Sequence, residues 1–227
     1  RSGKLQCQKA SCQSGNCKYD FNTRMEKTGG VEAIQVPSAW NYKDAMQTVK
    51  VGLIDDMFDT SHEDINFTKV WNNPNSTYIY GKKGSSHGTF VAGTMAATFN
   101  NSIGISGIIL NNKLYAYSIM GPKTDSNSKK IKMDAMKYKY AFALLIGNNV
   151  KIINISIAYN DSCFAASRDN TNAINFINTN AEIIGKFLQK LLNNGYDFDI
   201  IVAAENLNSA EYVQDGNCNF GYRLYDK

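Results

Sequence analysis

Four polar residues occupy places from which this chain could assemble an acyl-transfer site. Asp55 and Asn206 each follow an apolar run, Ser156 lies in another such run, and His87 opens a stretch of small residues. An acid beside a histidine fixes the imidazole tautomer and stabilises the imidazolium, and an amide donor stabilises a developing oxyanion. The residue types therefore predict an acid, a base and an oxyanion donor for attack on a carbonyl group.

Strands alternating with helices must position these residues. Strong apolar runs predict strands at residues 49–54, 114–119, 150–157 and 200–204, and helical spacing predicts helices at residues 87–99, 133–147 and 174–192. Strands separated by helices indicate an α/β domain with right-handed crossovers. Because the carboxyl ends of parallel strands share one sheet edge, we expect Asp55, Ser156 and Asn206 to meet His87 there.

The composition indicates one large domain with a short appendage. A chain of 227 residues with 43% hydrophobic residues buries one sizeable core. The net charge of +4 is spread along the chain, and its densest cluster, residues 123–132, is typical of a solvated loop rather than a nucleic-acid surface. No stretch has the length of a membrane span. A change of composition predicts a polar, cysteine-bearing segment or linker at residues 1–29 and a globular domain at residues 30–227.

Five cysteines are divided between these two segments. They are Cys7, Cys12, Cys17, Cys163 and Cys218. An odd number excludes complete pairing within the chain. A zinc site favours closer cysteine pairs and nearby histidines, so the spacing disfavours metal binding. Two alternatives stay open, namely a local disulfide in a secreted protein and an unstructured linker with free thiols.

Several motifs, in the same order, resemble those of one enzyme family. Residues 51–55 read Val-Gly-Leu-Ile-Asp, and residues 86–94 read Ser-His-Gly-Thr-Phe-Val-Ala-Gly-Thr. With residues 59–65, they resemble the aspartate and histidine motifs of the subtilisin-like serine proteases (subtilase, peptidase S8 type), in that family's order. Residues 152–157 resemble its substrate-lining strand, and residues 201–206 resemble the strand that ends in its oxyanion-hole asparagine.

The resemblance implies a three-layer fold with a doubly wound, mainly parallel sheet, and it implies hydrolysis of peptide bonds. On this basis Asp55 would orient His87, His87 would act as general base and acid, and Asn206 would donate to the oxyanion. An extended polypeptide substrate would pair with the main chain after residue 155 as an added strand. The residues lining that wall would be Ser156, Ile157 and Ala158.

The family also often holds a structural calcium ion after the histidine helix, whereas its catalysis needs no cofactor. Residues 100–104, Asn-Asn-Ser-Ile-Gly, are very similar to that loop. The resemblance implies side-chain oxygens from Asp64 and Asn101 and carbonyl oxygens from Ile103 and Ile105 as calcium ligands.

The family's nucleophile motif does not occur in this sequence. The family serine belongs to a Gly-Thr-Ser motif well downstream of the asparagine, whereas the serine that follows Asn206 is Ser209, in Leu-Asn-Ser-Ala. We therefore expect the N-terminal portion of a catalytic domain, truncated at its C-terminal end and inactive by itself. Its expected partners are a polypeptide substrate and the missing C-terminal part, and its expected location is secreted or at the cell surface.

Further departures from the family pattern leave another function open. Asp56 and Met57 stand where the family has Ser or Thr and then Gly, and Glu205 stands where it has Gly. A second acid beside Asp55 would compete for protons and raise the apparent pKa values of the pair unless it points to solvent. These residues favour, as the alternative, a non-catalytic subtilisin-like module that binds a peptide or partner. A nucleotide-binding domain is disfavoured because no glycine-rich phosphate loop follows the first strand.

Overall fold

The computed structural model describes residues 34–73, 87–119, 135–157 and 171–203, except for the side chains of residues 171–177. Within these ranges five strands form one parallel sheet. The strands are β1 (Val49–Asp55), β2 (Phe67–Asn72), β3 (Asn112–Ser118), β4 (Ile152–Ile155) and β5 (Asp199–Val202). The helices are α1 (Val36–Ala39), α2 (His87–Ala96), α3 (Ala135–Gly147) and α4 (Thr171–Asn193), and a 3-10 helix at Trp40–Ala45 follows α1. The predicted α/β fold is confirmed.

Strand β1 is the centre of the sheet, whose order is β2-β3-β1-β4-β5. The chain builds one side of β1 with β2 and β3 and then crosses to the other side with β4 and β5, so the strand order reverses around β1. Ligands bind in the crevice at the carboxyl end of such a switch point. Asp55, the last residue of β1, pairs with Ser118 of β3, and Ile54 pairs with Ile155 of β4. This register brings Asp55, Ser118 and Ser156 to one edge of the sheet.

Helices cover both faces of the sheet. Successive residues of β1 point to opposite faces, so neighbouring side chains pack against different helices. Leu53 packs in one buried cluster with Ala92 of α2. Its neighbour Ile54 packs in a second buried cluster with Phe142 of α3 and Ile184 of α4. The sheet therefore lies between α2 on one face and α3 and α4 on the other, which gives the three layers of the doubly wound arrangement.

Helix α2 approaches the sheet closely because its buried face carries small residues, among them Gly88, Ala92 and Gly93. A Cβ atom on Gly88 would lie only 2.5 Å from the carbonyl oxygen of Met57. Glycine is therefore required at this position. The close approach sets His87, the first residue of α2, against the carboxyl end of β1.

Strand β2 was not predicted from the sequence. It lies at one end of the sheet order and pairs with β3, and Thr68 and Lys69 are exposed on it. All six residues of β2 are half-buried or exposed, so the strand lacks the continuous buried run that identifies the central strands. The other predicted elements are present with shifted ends; α2, for example, ends at Ala96 rather than at residue 99.

Some expectations concern residues that the structure does not describe. The boundary near residue 30 and all five cysteines lie outside the described ranges. Among the described helices, none combines the length and the apolar character needed to cross a membrane.

Candidate active site

Asp55 and His87, the predicted acid and base, form a hydrogen-bonded pair. The distance from Asp55 Oδ1 to His87 Nδ1 is 2.7 Å. Asp55 is fully buried at the end of β1, whereas 53% of the His87 side chain is exposed at the start of α2. Because Nδ1 is engaged by the acid, Nε2 on the opposite edge of the ring is left to exchange a proton with a nucleophile.

Burial and hydrogen bonding adjust the acidity of this pair. Burial raises the pKa of Asp55 to about 6, against the lowering effects of its hydrogen bonds to His87 and to the Asp56 N–H. Asp55 Oδ2 is buried and, among the described residues, has no hydrogen-bond partner. The hydrogen bond to Asp55 raises the pKa of His87, while partial burial acts in the opposite direction. Both shifts favour retention of a proton by the pair.

Asp56, expected to compete with Asp55 for protons, is tied to the histidine helix. Its Oδ1 accepts from the backbone N–H of Gly88 at 2.8 Å and also from the N–H of Met57. Its own N–H donates to Asp55 Oδ1 at 2.8 Å, and its carbonyl oxygen accepts from the Ser118 hydroxyl. Its charge does raise the pKa of Asp55, but this is the weakest of the contributions. The sequence signal for this contact is an acid that directly follows a strand ending near a helix N-terminus, where free N–H groups favour a carboxylate.

The segment at residues 59–65 contacts α2 through a hydrogen bond and through buried apolar packing. Thr89 Oγ1 accepts from the buried N–H of Asp59 at 2.8 Å. The Asp59 side chain in turn accepts from the N–H and the hydroxyl of Ser61. Ile65 packs in the same buried cluster as Ala92 of α2. Residues of the predicted aspartate motif thus hold the histidine helix as well as supplying the acid.

The predicted substrate wall lies at the same sheet edge as far as it is described. Ser156 and Ile157 directly follow β4, which is the neighbour of β1. The Ser156 hydroxyl accepts from Asn154 Nδ2 at 2.8 Å. Ala158 and Asn206 lie outside the described residues.

Asp64 is buried, and hydrogen bonds join it to two of the residues predicted as calcium ligands, Asn101 and Ile105. Its Oδ1 accepts from Asn101 Nδ2 at 2.8 Å, and its Oδ2 accepts from the Ile105 N–H at 3.0 Å. Asn101 Oδ1 accepts from the Ile103 N–H at 3.0 Å. Burial raises the pKa of Asp64, against the lowering effects of its hydrogen bonds to Ile105 and Asn101. The Asp64 carboxylate and the Asn101 amide oxygen are donors of the kind that calcium prefers, so these two side chains fit the ion. Ile103 and Ile105 contact them through N–H groups, and these contacts do not involve the predicted carbonyl ligands.

Asp55, Asp56 and His87 also place three potential metal-ligand atoms within 4.8 Å of one another. However, His87 Nδ1 is bonded to Asp55, and Asp56 Oδ1 accepts two backbone N–H groups. Hydrogen bonds within the site therefore account for this cluster.

The chain is similar to proteins of one family. A family model described as "Subtilase family" (Peptidase S8) matches residues 46–217. "Subtilisin" of Bacillus pumilus is 35% identical over 129 residues, which cover 56% of this chain and 44% of that protein. "Subtilisin E" of Bacillus subtilis is 35% identical over 129 residues, covering 56% of this chain and 32% of that protein. The solved structure of the prenylagaramide maturation protease PagA has a TM-score of 0.47 and 18% identity, covering 76% of this chain and 51% of that chain. The chain spans less than half the length of these two subtilisins.

Proposed function

Because the chain belongs to the subtilase family of serine proteases, we propose that it is part of an endopeptidase that cleaves polypeptides with an Asp-His-Ser triad. The observation that carries the proposal is the 2.7 Å bond between buried Asp55 and half-exposed His87. In this mechanism His87 is the general base and then the general acid. Asp55 holds the imidazole in one tautomer and stabilises the imidazolium.

A serine supplied by another part of the catalytic domain would complete the triad. The 227 residues contain no Gly-Thr-Ser motif, so we assign the nucleophile to a segment beyond them. During attack on the substrate carbonyl, His87 Nε2 accepts the serine proton and afterwards delivers it to the leaving amine. With a pKa of about 6, Asp55 is mostly ionised at pH 7 and stabilises the positive ring. Asn206, as the oxyanion donor, remains a prediction.

A polypeptide is the proposed substrate. The end of β4 borders the switch-point crevice next to Asp55, and an extended peptide there would bond to main-chain groups as an added strand. Main-chain recognition accepts many side chains, which suits a protease acting on proteins. Ser156, Ile157 and Ala158 are the residues proposed for this wall.

The two histidines provide a matched test. In the protein that includes the serine segment, His87→Ala should abolish cleavage of a fluorogenic peptide. His62→Ala should leave cleavage nearly unchanged, because the His62 ring accepts from the Asp64 N–H and takes no part in the bond between Asp55 and His87. Cleavage that survives His87→Ala would refute the proposal. The 227-residue chain alone should not react with a fluorophosphonate, and labelling would refute the expected inactivity.

The same measurements separate the protease from a non-catalytic binding module. Peptide binding without cleavage by the protein with its serine segment would favour the module. Asp56, one of the departures that had favoured a module, is bonded to Gly88, so its presence is explained by the histidine helix.

We also propose that the Asp64 loop binds a structural calcium ion. Saturating calcium at about 100 times its Kd should raise the free energy of unfolding by about 2.7 kcal/mol. Asp64→Asn should remove this response, and Asp44→Asn, which neutralises an exposed acid on the 3-10 helix, should keep it. An equal response of both variants to calcium would refute the site.

Finally, we propose a secreted or surface location. The family resemblance and the evenly spaced Cys7, Cys12 and Cys17 support a local disulfide in an oxidising compartment. Thiol labelling of protein from its native source, before and after reduction, would count the disulfides, and five free thiols before reduction would contradict the proposal.

A further inference from the structure

We infer that Asp56 is a positioning residue for His87, because its carboxylate fixes the first turn of α2 to the end of β1. The inference rests on the proposed role of His87 as the catalytic base. It assigns to Asp56 no contact with substrate, and it explains why an acid is accommodated beside the buried Asp55.

Asp56 joins three elements through three different groups. Its N–H donates to Asp55 Oδ1 at 2.8 Å, and its Oδ1 accepts from the Gly88 N–H at 2.8 Å. Its carbonyl oxygen accepts from the hydroxyl of Ser118, the last residue of β3. One residue therefore connects the ends of β1 and β3 to the start of α2.

The side chain suits the group that it binds. The first N–H groups of a helix have no carbonyl partner within the helix, and the helix dipole makes this end favourable for a negative charge. Gly88 directly follows His87, so the bond from Asp56 restrains the backbone that carries the imidazole. A shift of this turn would lengthen the 2.7 Å bond between Asp55 and His87.

The charge of Asp56 has a second effect, on the imidazolium. The charged groups that face the His87 ring among the described residues are Asp55 and Asp56, and both raise the pKa of His87. Tyr138 of α3 is buried, and burial together with the charge of Asp55 raises its pKa, so it stays neutral. Removing the charge while keeping the hydrogen bond would therefore separate the two effects of Asp56.

Two variants at this position make that separation in the 227-residue chain. Asp56→Asn keeps an oxygen that accepts from Gly88 but loses the charge, whereas Asp56→Ala loses both. Hydrogen exchange of the Gly88 amide and the NMR titration of His87 are the two readouts, and Asp44→Asn is the control for loss of an exposed acid. We expect Gly88 exchange to become about fivefold faster in Asp56→Ala and to stay unchanged in Asp56→Asn. We expect the pKa of His87 to be lower in both Asp56 variants and unchanged in Asp44→Asn.

The outcomes test the bond from Asp56 to Gly88, which we call the tether, separately from the protease function, because neither readout needs peptidase activity. Unchanged Gly88 exchange in Asp56→Ala would overturn the tether. If Asp56→Ala does not fold, the unsubstituted chain still decides, since a Gly88 amide that exchanges as fast as a helix N-terminal amide without an acceptor would overturn the inference. The titration of Asp56→Asn reports only the effect of the charge. In the protein with its serine segment, the lower base pKa of Asp56→Asn should move the acidic limb of kcat/KM to lower pH. Peptidase activity that survives His87→Ala would instead refute the proposed function and leave the NMR results standing.

Discussion

Replacing Gly88 by alanine is predicted to destabilise the fold and to disturb the pair of Asp55 and His87. The new Cβ would lie 2.5 Å from Met57 O, 2.9 Å from Phe58 Cε1 and 3.1 Å from Asp55 Cβ. The first of these atoms belongs to the backbone, so relief requires α2 to move away from the end of β1. Overpacking of this kind costs about 1–3 kcal/mol. The gain from alanine in a helix is at most about 1 kcal/mol, so even with the full gain we expect a net loss of up to about 2 kcal/mol.

Gly93 provides a matched control in the same helix. A Cβ there would lie 3.6 Å from Ile65 Cδ1 and 3.8 Å from Ile105 Cδ1, which is ordinary contact. Gly93→Ala therefore keeps the benefit of helix propensity without the clash and should stabilise the chain by about 0.5–1 kcal/mol. The same substitution is expected to have opposite signs at two positions of one helix.

Equilibrium urea unfolding of both variants measures these signs directly, and NMR titration of His87 reports the geometry of the pair. In Gly88→Ala the weaker bond to Asp55 should lower the pKa of His87, whereas Gly93→Ala should leave it unchanged. An alanine at position 88 that is as stabilising as the alanine at position 93 would refute the close approach of α2 to β1.

Three further predictions follow from single contacts and from pKa changes. Thr89→Val should cost about 1–3 kcal/mol in urea unfolding, because it leaves the buried Asp59 N–H without its 2.8 Å acceptor, and Thr89→Ser should restore most of the loss. Gly185→Ala should raise the free energy of unfolding by about 1 kcal/mol, because a Cβ in the interior of α4 meets no atom within 4 Å; a loss of stability would show that the helix is packed differently. Burial raises the pKa of Asp55 from 3.8 to about 6, so its contribution to stability is fully present below pH 3.8 and is lost as the pH rises through about 6. His87, whose pKa is also raised, contributes stability below its ordinary value of 6.5 that is lost as the pH rises through its folded pKa. Unfolding between pH 4 and 7 should therefore show stability falling as pH rises, and Asp55→Asn should flatten this fall; an equal slope in both proteins would contradict the raised pKa.

The central part of the fold could be predicted because its sequence signals are local. Val51, Leu53 and Ile54 of β1 are all fully buried, so the strand reads as a continuous apolar run. The buried Gly88, Ala92 and Gly93 likewise identify α2 as a helix that packs closely. The motif resemblance predicted that Asp55 orients His87. A hydrogen bond joins the two side chains, and their catalytic roles stay a prediction.

Features that depend on distant partners could not be read in the same way. Strand β2 carries exposed Thr68 and Lys69, and its pairing with β3 includes a register shift between Phe67 and Lys69. The role of Asp56 depends on Gly88, which is 32 positions away in the sequence. A motif states which residue types occur at a strand end, but the backbone group that each side chain will meet is decided by how the helix packs.

The position of Asp55 depends on the sheet more than on the loop that follows it. The pairing of β1 with β3 continues to Asp55 and Ser118, and the Asp55 carbonyl oxygen accepts from the Ile119 N–H at 2.8 Å beyond the strand end. The acid is therefore carried by backbone that is still bonded on the β3 side, where local opening is costly. His87, in contrast, begins a helix whose first turn has no such strand pairing. Its side chain is 53% exposed. Of the two partners the histidine is the one that needs additional restraint, which is the physical reason for a close glycine contact and an acid bonded to the same turn.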